Sequence, residues 1–104
     1  MKLLQVTYDS VFSPFDPTLR ARLVRAAETI AGLAGLIWKI WFYDDVSQIG
    51  GGLYLFDTDT NAHNWGDTLP QLMGSLPGIG NVQIRYFDLE ERLTALTRGQ
   101  LTLA

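Results

Sequence analysis

The sequence predicts an α+β protein of ferredoxin-like β-α-β-β-α-β order, with helices over one face of a four-stranded antiparallel sheet. Three observations point there. Four stretches, starting at Lys2, Gly35, Gly50 and Asn81, are alternating or rich in β-branched and aromatic residues, as strands are. Two others carry apolar residues at spacings of three and four and fall between the first and second strands and between the third and fourth. The polar run of Asp44, Asp45, Ser47 and Gln48 links the middle strands as a hairpin.

In the first strand, Lys2 to Tyr8, Leu4, Val6 and Tyr8 point one way and Leu3, Gln5 and Thr7 the other. Asp16 is placed to cap a helix whose first turn accepts Pro17, since the missing N–H has no partner there. That helix presents Leu19, Leu23, Ala26, Ala27, Ile30 and Leu33 on its apolar side, with Gly32 and Gly35 available to end it. The stretch GLIWKIWFYDD, Gly35 to Asp45, is the second strand, and GGGLYLF, Gly50 to Phe56, is the third. The second helical region begins near Asp57 to Thr60 and carries Trp65, Leu69, Leu72, Met73 and Leu76. Pro70 removes an interior hydrogen bond, which predicts a kink or two short helices. In the fourth strand, Asn81 to Phe87, Val82, Ile84 and Tyr86 oppose Gln83, Arg85 and Phe87. A short helix from about Leu89 to Leu96 follows, so residues 1–104 read as one domain with 97–104 as a flexible tail.

Composition narrows the chemistry. None of the 104 residues is cysteine, which removes disulfides, thiolate nucleophiles and sulfur-bound metal, and one histidine leaves little for other metal sites. With 8 basic and 11 acidic side chains the net charge is -3, and no basic stripe is interleaved with aromatics, so nucleic acid is not an expected partner. MKLLQVTYDS lacks the apolar run of a signal peptide, and no stretch approaches the roughly 20 apolar residues of a membrane span. The expectation is a cytoplasmic protein with neither metal nor bound cofactor.

Strict alternation along the second strand puts Leu36, Trp38, Ile40 and Phe42 in one row and Ile37, Lys39, Trp41 and Tyr43 in the other. The second row, grouped with Gln5, Thr7, Gln83, Arg85 and Phe87, makes a face too apolar for exposure and too polar for a closed core. A homodimer with sheets face to face is therefore expected, its interface including Lys39, Trp41, Arg85 and Phe87. The first row looks toward the helices, where Tyr8, Trp38, Phe42, Tyr54, Trp65 and Tyr86 form the expected wall of a pocket for a small hydrophobic or aromatic molecule.

GLIWKIW, GGGLYLFDTDTNAHNW and VQIRYFDLEERL together resemble the YdhR family of monooxygenases, with its GxxWKxW strand, glycine-led partner strand and closing FD. The resemblance spans roughly residues 2 to 101; Pro70 and the SLPGIGN connection depart from it. It implies a dimeric α+β barrel of the antibiotic-biosynthesis-monooxygenase type. It further implies oxidation of a phenol- or anthrone-like substrate with molecular oxygen as co-substrate and no metal or flavin. A cyclase or isomerase of the same fold, or a binding protein without chemistry, is the alternative. Such a site needs a proton acceptor and donors for a developing oxyanion. Tyrosine hydroxyls and tryptophan N–H groups supply donors, but the sequence singles out no base. His63 reads as a solvent-facing helix residue and Asp9 as an exposed loop carboxylate. Gly50 to Gly52 precede a strand and lack dinucleotide spacing, so they read as a bulge or close backbone approach.

Overall fold

Leu4 and Val6 are buried while Leu3 and Gln5 between them are less so, and that alternation orients the whole sheet. The computed structural model describes residues 1–102. Its strands are β1 (Lys2–Ser10), β2 (Leu36–Asp44), β3 (Ile49–Phe56) and β4 (Ile79–Asp88), all antiparallel in the order β2-β3-β1-β4. The helices are α1 (Arg20–Ala31), α2 (Asp59–Gly66), α3 (Leu69–Gly74) and α4 (Glu91–Leu96). The ferredoxin-like order read from the sequence is the one observed.

Local chemistry accounts for the boundaries. The Asp16 carboxylate accepts from Thr18 N at 2.9 Å and starts a short 3₁₀ turn, Pro17–Leu19, that leads into α1. Thr58 caps α2, its hydroxyl accepting from Asn61 N at 3.1 Å. Pro70 lies in the first turn of α3, where its missing donor costs nothing, and the helical region splits into α2 and α3 as expected. Beneath them Leu4, Val6, Tyr54 and Phe56 from the sheet meet Ile30 of α1, Ala62 of α2 and Leu69 of α3.

The second strand departs from strict alternation. Leu36 pairs with Phe56, but Trp38 pairs with Leu55, so two steps along β2 match one along β3 and Ile37 is the extra residue of a β-bulge. Gly35, at φ 77°, anchors the entry: its carbonyl accepts from Asp57 N at 2.9 Å, and a Cβ there would collide with the Asp57 and Asn61 side chains. Leu36 consequently faces the core, while every residue after Ile37 has the opposite phase to the one expected. Lys39, Trp41 and Tyr43 share their face with Tyr54, Gly52 and Gly50, beneath the helices. Trp38, Ile40 and Phe42 lie on the other face, in rows with Leu55, Leu53 and Gly51.

That other face is partly covered by the chain itself. After β4 the chain runs from the β4 edge to the β2 edge, where the Gln100 carbonyl accepts from Trp38 Nε1 at 2.8 Å. Leu55, in the row between, is fully buried although it points away from the main core. Gly99 N bonds back to Thr94 O at 2.8 Å, so the segment is tied down as far as Gln100. The tail expected at 97–104 extends past the described residues, which end at Thr102.

Phe56 is fully buried at the centre of the core. Phe56→Ala is expected to lower unfolding free energy by about 3–5 kcal/mol in urea titrations monitored by circular dichroism.

Candidate functional site

Helices α1 and α3 stand off the β2 end of the sheet and leave a cavity of about 690 Å³. Small residues in β3 make the room: Trp41 pairs across to Gly52 and Tyr43 to Gly50, so the bulky side chains of β2 lean over a strip without side chains. A Cβ at Gly52 would come within 2.6 Å of Lys39 Cε, and one at Gly50 within 3.1 Å of the Tyr8 ring. The triple glycine is a close-approach strip, as its position before a strand suggested.

Of the expected wall residues, Tyr8, Tyr54 and Trp65 line this cavity. Trp38 does not: the bulge turns it to the open face, where it packs by Leu55 and bonds to Gln100. Phe42 pairs opposite Gly51 on that open face and borders the cavity at its rim. Tyr86 lies outside the cavity lining, across Leu4 from Tyr54. It donates to Asp67 Oδ1 at 2.7 Å and stacks on His63 with ring centroids 3.8 Å apart. The interface expectation changes correspondingly. Lys39 and Trp41 belong to the cavity, whereas Arg85 and Phe87 stay on the open face as expected.

Lys39 is the residue that sequence reasoning placed wrongly and that matters most. A lysine in a mixed strand reads as a rim residue by hydropathy, and only the unpredicted bulge brings it inside. Its Nζ sits 3.3 Å from the centroid of the Trp41 ring and 4.7 Å from that of Tyr54. No hydrogen-bond acceptor or carboxylate contacts it among the described residues. Burial without an anionic partner penalises the ammonium form and lowers its pKa to about 7. The cavity lining contains two cationic side chains, Lys39 and Arg22, and no aspartate, glutamate or histidine. Arg22, Phe12 and Ser10 also line the cavity without having been singled out in the sequence; Arg22 is a charged residue of α1, and the other two follow the segment taken as strand.

Tyr8 and Tyr54 line the same space, whereas Trp65 Nε1 is closed off from it. Trp65 Nε1 is buried with no hydrogen-bond partner; it approaches the Tyr54 hydroxyl without reaching hydrogen-bond geometry. Burial holds the hydroxyls of Tyr8 and Tyr54 in their protonated, donating form by raising both pKa values. His63 is kept elsewhere: its Nδ1 lies 3.1 Å from Asp67 and its Nε2 3.4 Å from Asp59, on the exposed side of α2. Asp67 is held below the ordinary carboxylate range by the Tyr86 hydroxyl and then by His63.

A four-stranded antiparallel sheet under helices, with an apolar chamber between the layers, is the architecture of the antibiotic-biosynthesis-monooxygenase type. Solved structures bear out the fold. A putative antibiotic biosynthesis monooxygenase from Deinococcus radiodurans superposes with a TM-score of 0.56 at 15% identity, covering 86% of this chain and 92% of that one. The haem degrader MhuD from Mycobacterium tuberculosis, solved with two haems bound in its active site, gives a TM-score of 0.56 at 11% identity, covering 85% of this chain and 95% of that one. Residues 3–100 match the family model described as "Putative mono-oxygenase ydhR", and the chain belongs to that family. No curated protein matches it. No helix among the described residues is long and apolar enough to cross a membrane.

The Lys39 environment predicts a specific pH dependence. The folded pKa of about 7 lies below the ordinary 10.5, so the unfolded chain binds the extra proton between these values and stability rises with pH across that window. Raised tyrosine values pull the other way above it, so the comparison is with Lys39→Met, in which those contributions cancel. Lys39→Met is expected to be more stable than wild type at neutral pH. In urea titrations the gap should close by at most about 1.4 kcal/mol per pH unit as pH rises.

Proposed function

We propose that the protein is a cofactor-independent monooxygenase acting on a small aromatic or polycyclic substrate of phenol or anthrone type. The single observation that carries this reading is the cavity of about 690 Å³ with Tyr54, Trp41 and Trp65 in its wall. Its size is in the usual range of small-molecule sites, roughly 300–1,000 Å³, and its aromatic lining suits a flat guest. Family membership supports an oxygenase activity.

In that reaction the substrate supplies the electrons. An activated CH₂ flanked by aromatic rings loses a proton, and the carbanion reduces oxygen. One oxygen atom ends in the substrate as a carbonyl and the other leaves as water, so atoms and electrons balance without an added reductant. The protein binds the ring system, excludes bulk water and directs donors at the developing oxyanion. The Tyr8 and Tyr54 hydroxyls have the donor role here.

We infer also that the working unit is a homodimer joined through the open sheet face. Ile40, Phe42 and Phe87 leave apolar surface there, at 51%, 36% and 45% exposure, alongside Arg85. Ile40→Glu is expected to shift the sedimenting species to a monomer; an unchanged dimer would place the contact elsewhere.

The activity is tested by oxygen consumption with anthrone in an oxygen electrode. Uptake above the buffer and heat-denatured controls is expected, falling about 10-fold or more in Tyr54→Phe if this donor serves the oxyanion as others do. Conversion of substrate under nitrogen, with no oxygen uptake in air, would instead make the protein a cyclase or isomerase.

A further inference from the structure

We propose that Lys39 is the proton acceptor of this cavity, taking the proton of an acidic hydroxyl on an aromatic guest and holding the resulting oxyanion as an ion pair. The inference rests on the reading of the cavity as an aromatic-binding site and adds to it a residue and an ionisation state for the guest. In the step, the guest O–H bond breaks and an N–H bond forms on Nζ. The guest becomes a phenolate or enolate and the amine an ammonium, with no electron transferred.

The surroundings of Lys39 converge on this role. Its Nζ lies over the Trp41 and Tyr54 rings, which accept a cation through their π-faces yet provide no proton acceptor. It has no counterion among the described residues, in a lining that contains cationic Arg22 and no carboxylate. A partly desolvated ammonium without a counterion is relieved by an anionic guest, which itself gains more from the charge there than it would in water.

The titratable and charged neighbours are consistent with this direction of transfer. Tyr8 of β1, Tyr43 of β2 and Tyr54 of β3 are phenols, and Arg22 of α1 is a fixed cation. Nothing facing Lys39 competes for its proton. Its lowered pKa leaves a large fraction of amine at neutral pH, ready to accept one. The other bases are placed unsuitably: His63 is engaged by Asp59 and Asp67 outside the cavity, and Asp9 is exposed at the end of β1.

The test uses para-nitrophenol, which is colourless as the phenol and yellow as the phenolate, with para-nitroanisole as the counterpart that has no proton to give. With the full chain at about pH 6, where free dye is mainly phenol, bound dye is expected to absorb as phenolate, because an adjacent cation favours the charged form. Para-nitrophenol should bind about tenfold or more tightly than para-nitroanisole. Lys39→Met should abolish both the colour and the preference while still binding para-nitroanisole. Para-nitrophenol bound as the colourless phenol to wild type, a result that needs no variant, would overturn the assignment and leave the aromatic cavity standing. An equally yellow complex in Lys39→Met would overturn it too. Failure of either compound to bind would remove the cavity reading and the assignment together. Phenolate formation without oxygen uptake on anthrone would keep Lys39 in this role and remove the oxygenase instead.

Discussion

One extra residue in one strand determines which side chains meet in the cavity. Because side chains alternate along a strand, Ile37 displaces by one step the phase of everything that follows it in β2. Without the bulge, Trp38 and Phe42 would lie beneath the helices and Lys39 would be solvated or paired across a subunit contact. With it, an amine is drawn between two aromatic rings and Trp38 is released to the opposite face. The bulge is held from outside the strand. Gly35, in a left-handed conformation that only glycine adopts freely, takes a hydrogen bond from Asp57 at the approach to α2. The cavity's chemistry therefore depends on a contact at the far end of the strand.

Much of the architecture was legible in the residues, for local reasons. Alternation in β1 and β4 is unbroken through their centres, so Leu4, Val6, Ile84 and Tyr86 were assignable to the helix side. Asp16, Thr58 and Pro70 act through their own backbone neighbourhoods, which sequence displays directly. Tyr8, Tyr54 and Trp65 reach the cavity from elements whose periodicity is regular. The bulge is different in kind. Ile37 is neither glycine nor proline and is an ordinary strand residue; its being unpaired depends on how β2 meets Phe56 and Leu55, a long-range relation. The error then propagated with perfect regularity, since a period of two converts one missed residue into a complete exchange of faces. Tyr86 shows another limit: its face was right, yet Asp67 and His63 claim its hydroxyl and ring, and no spacing rule announces that.

The cavity and the core make opposite uses of aromatic residues. Tyr54 stacks near Phe56 at 6.0 Å and closes the packed region, while on its other side it faces Lys39. The three glycines opposite Phe42, Trp41 and Tyr43 give up packing and conformational economy in β3 to create open volume beside a well-filled core. A sheet so divided has a closely packed half, centred on Leu4 and Phe56, and an open half beside the cavity.

The crossing segment that ends on Trp38 has a practical corollary for handling the protein. Its anchoring bond to the sheet edge engages Gln100, so cutting the chain before Gln100 would remove the carbonyl that Trp38 bonds, and with it the cover over Leu55. At the start of the same segment, Leu89 N donates to Met1 O at 3.4 Å, which ties its other end to the beginning of β1.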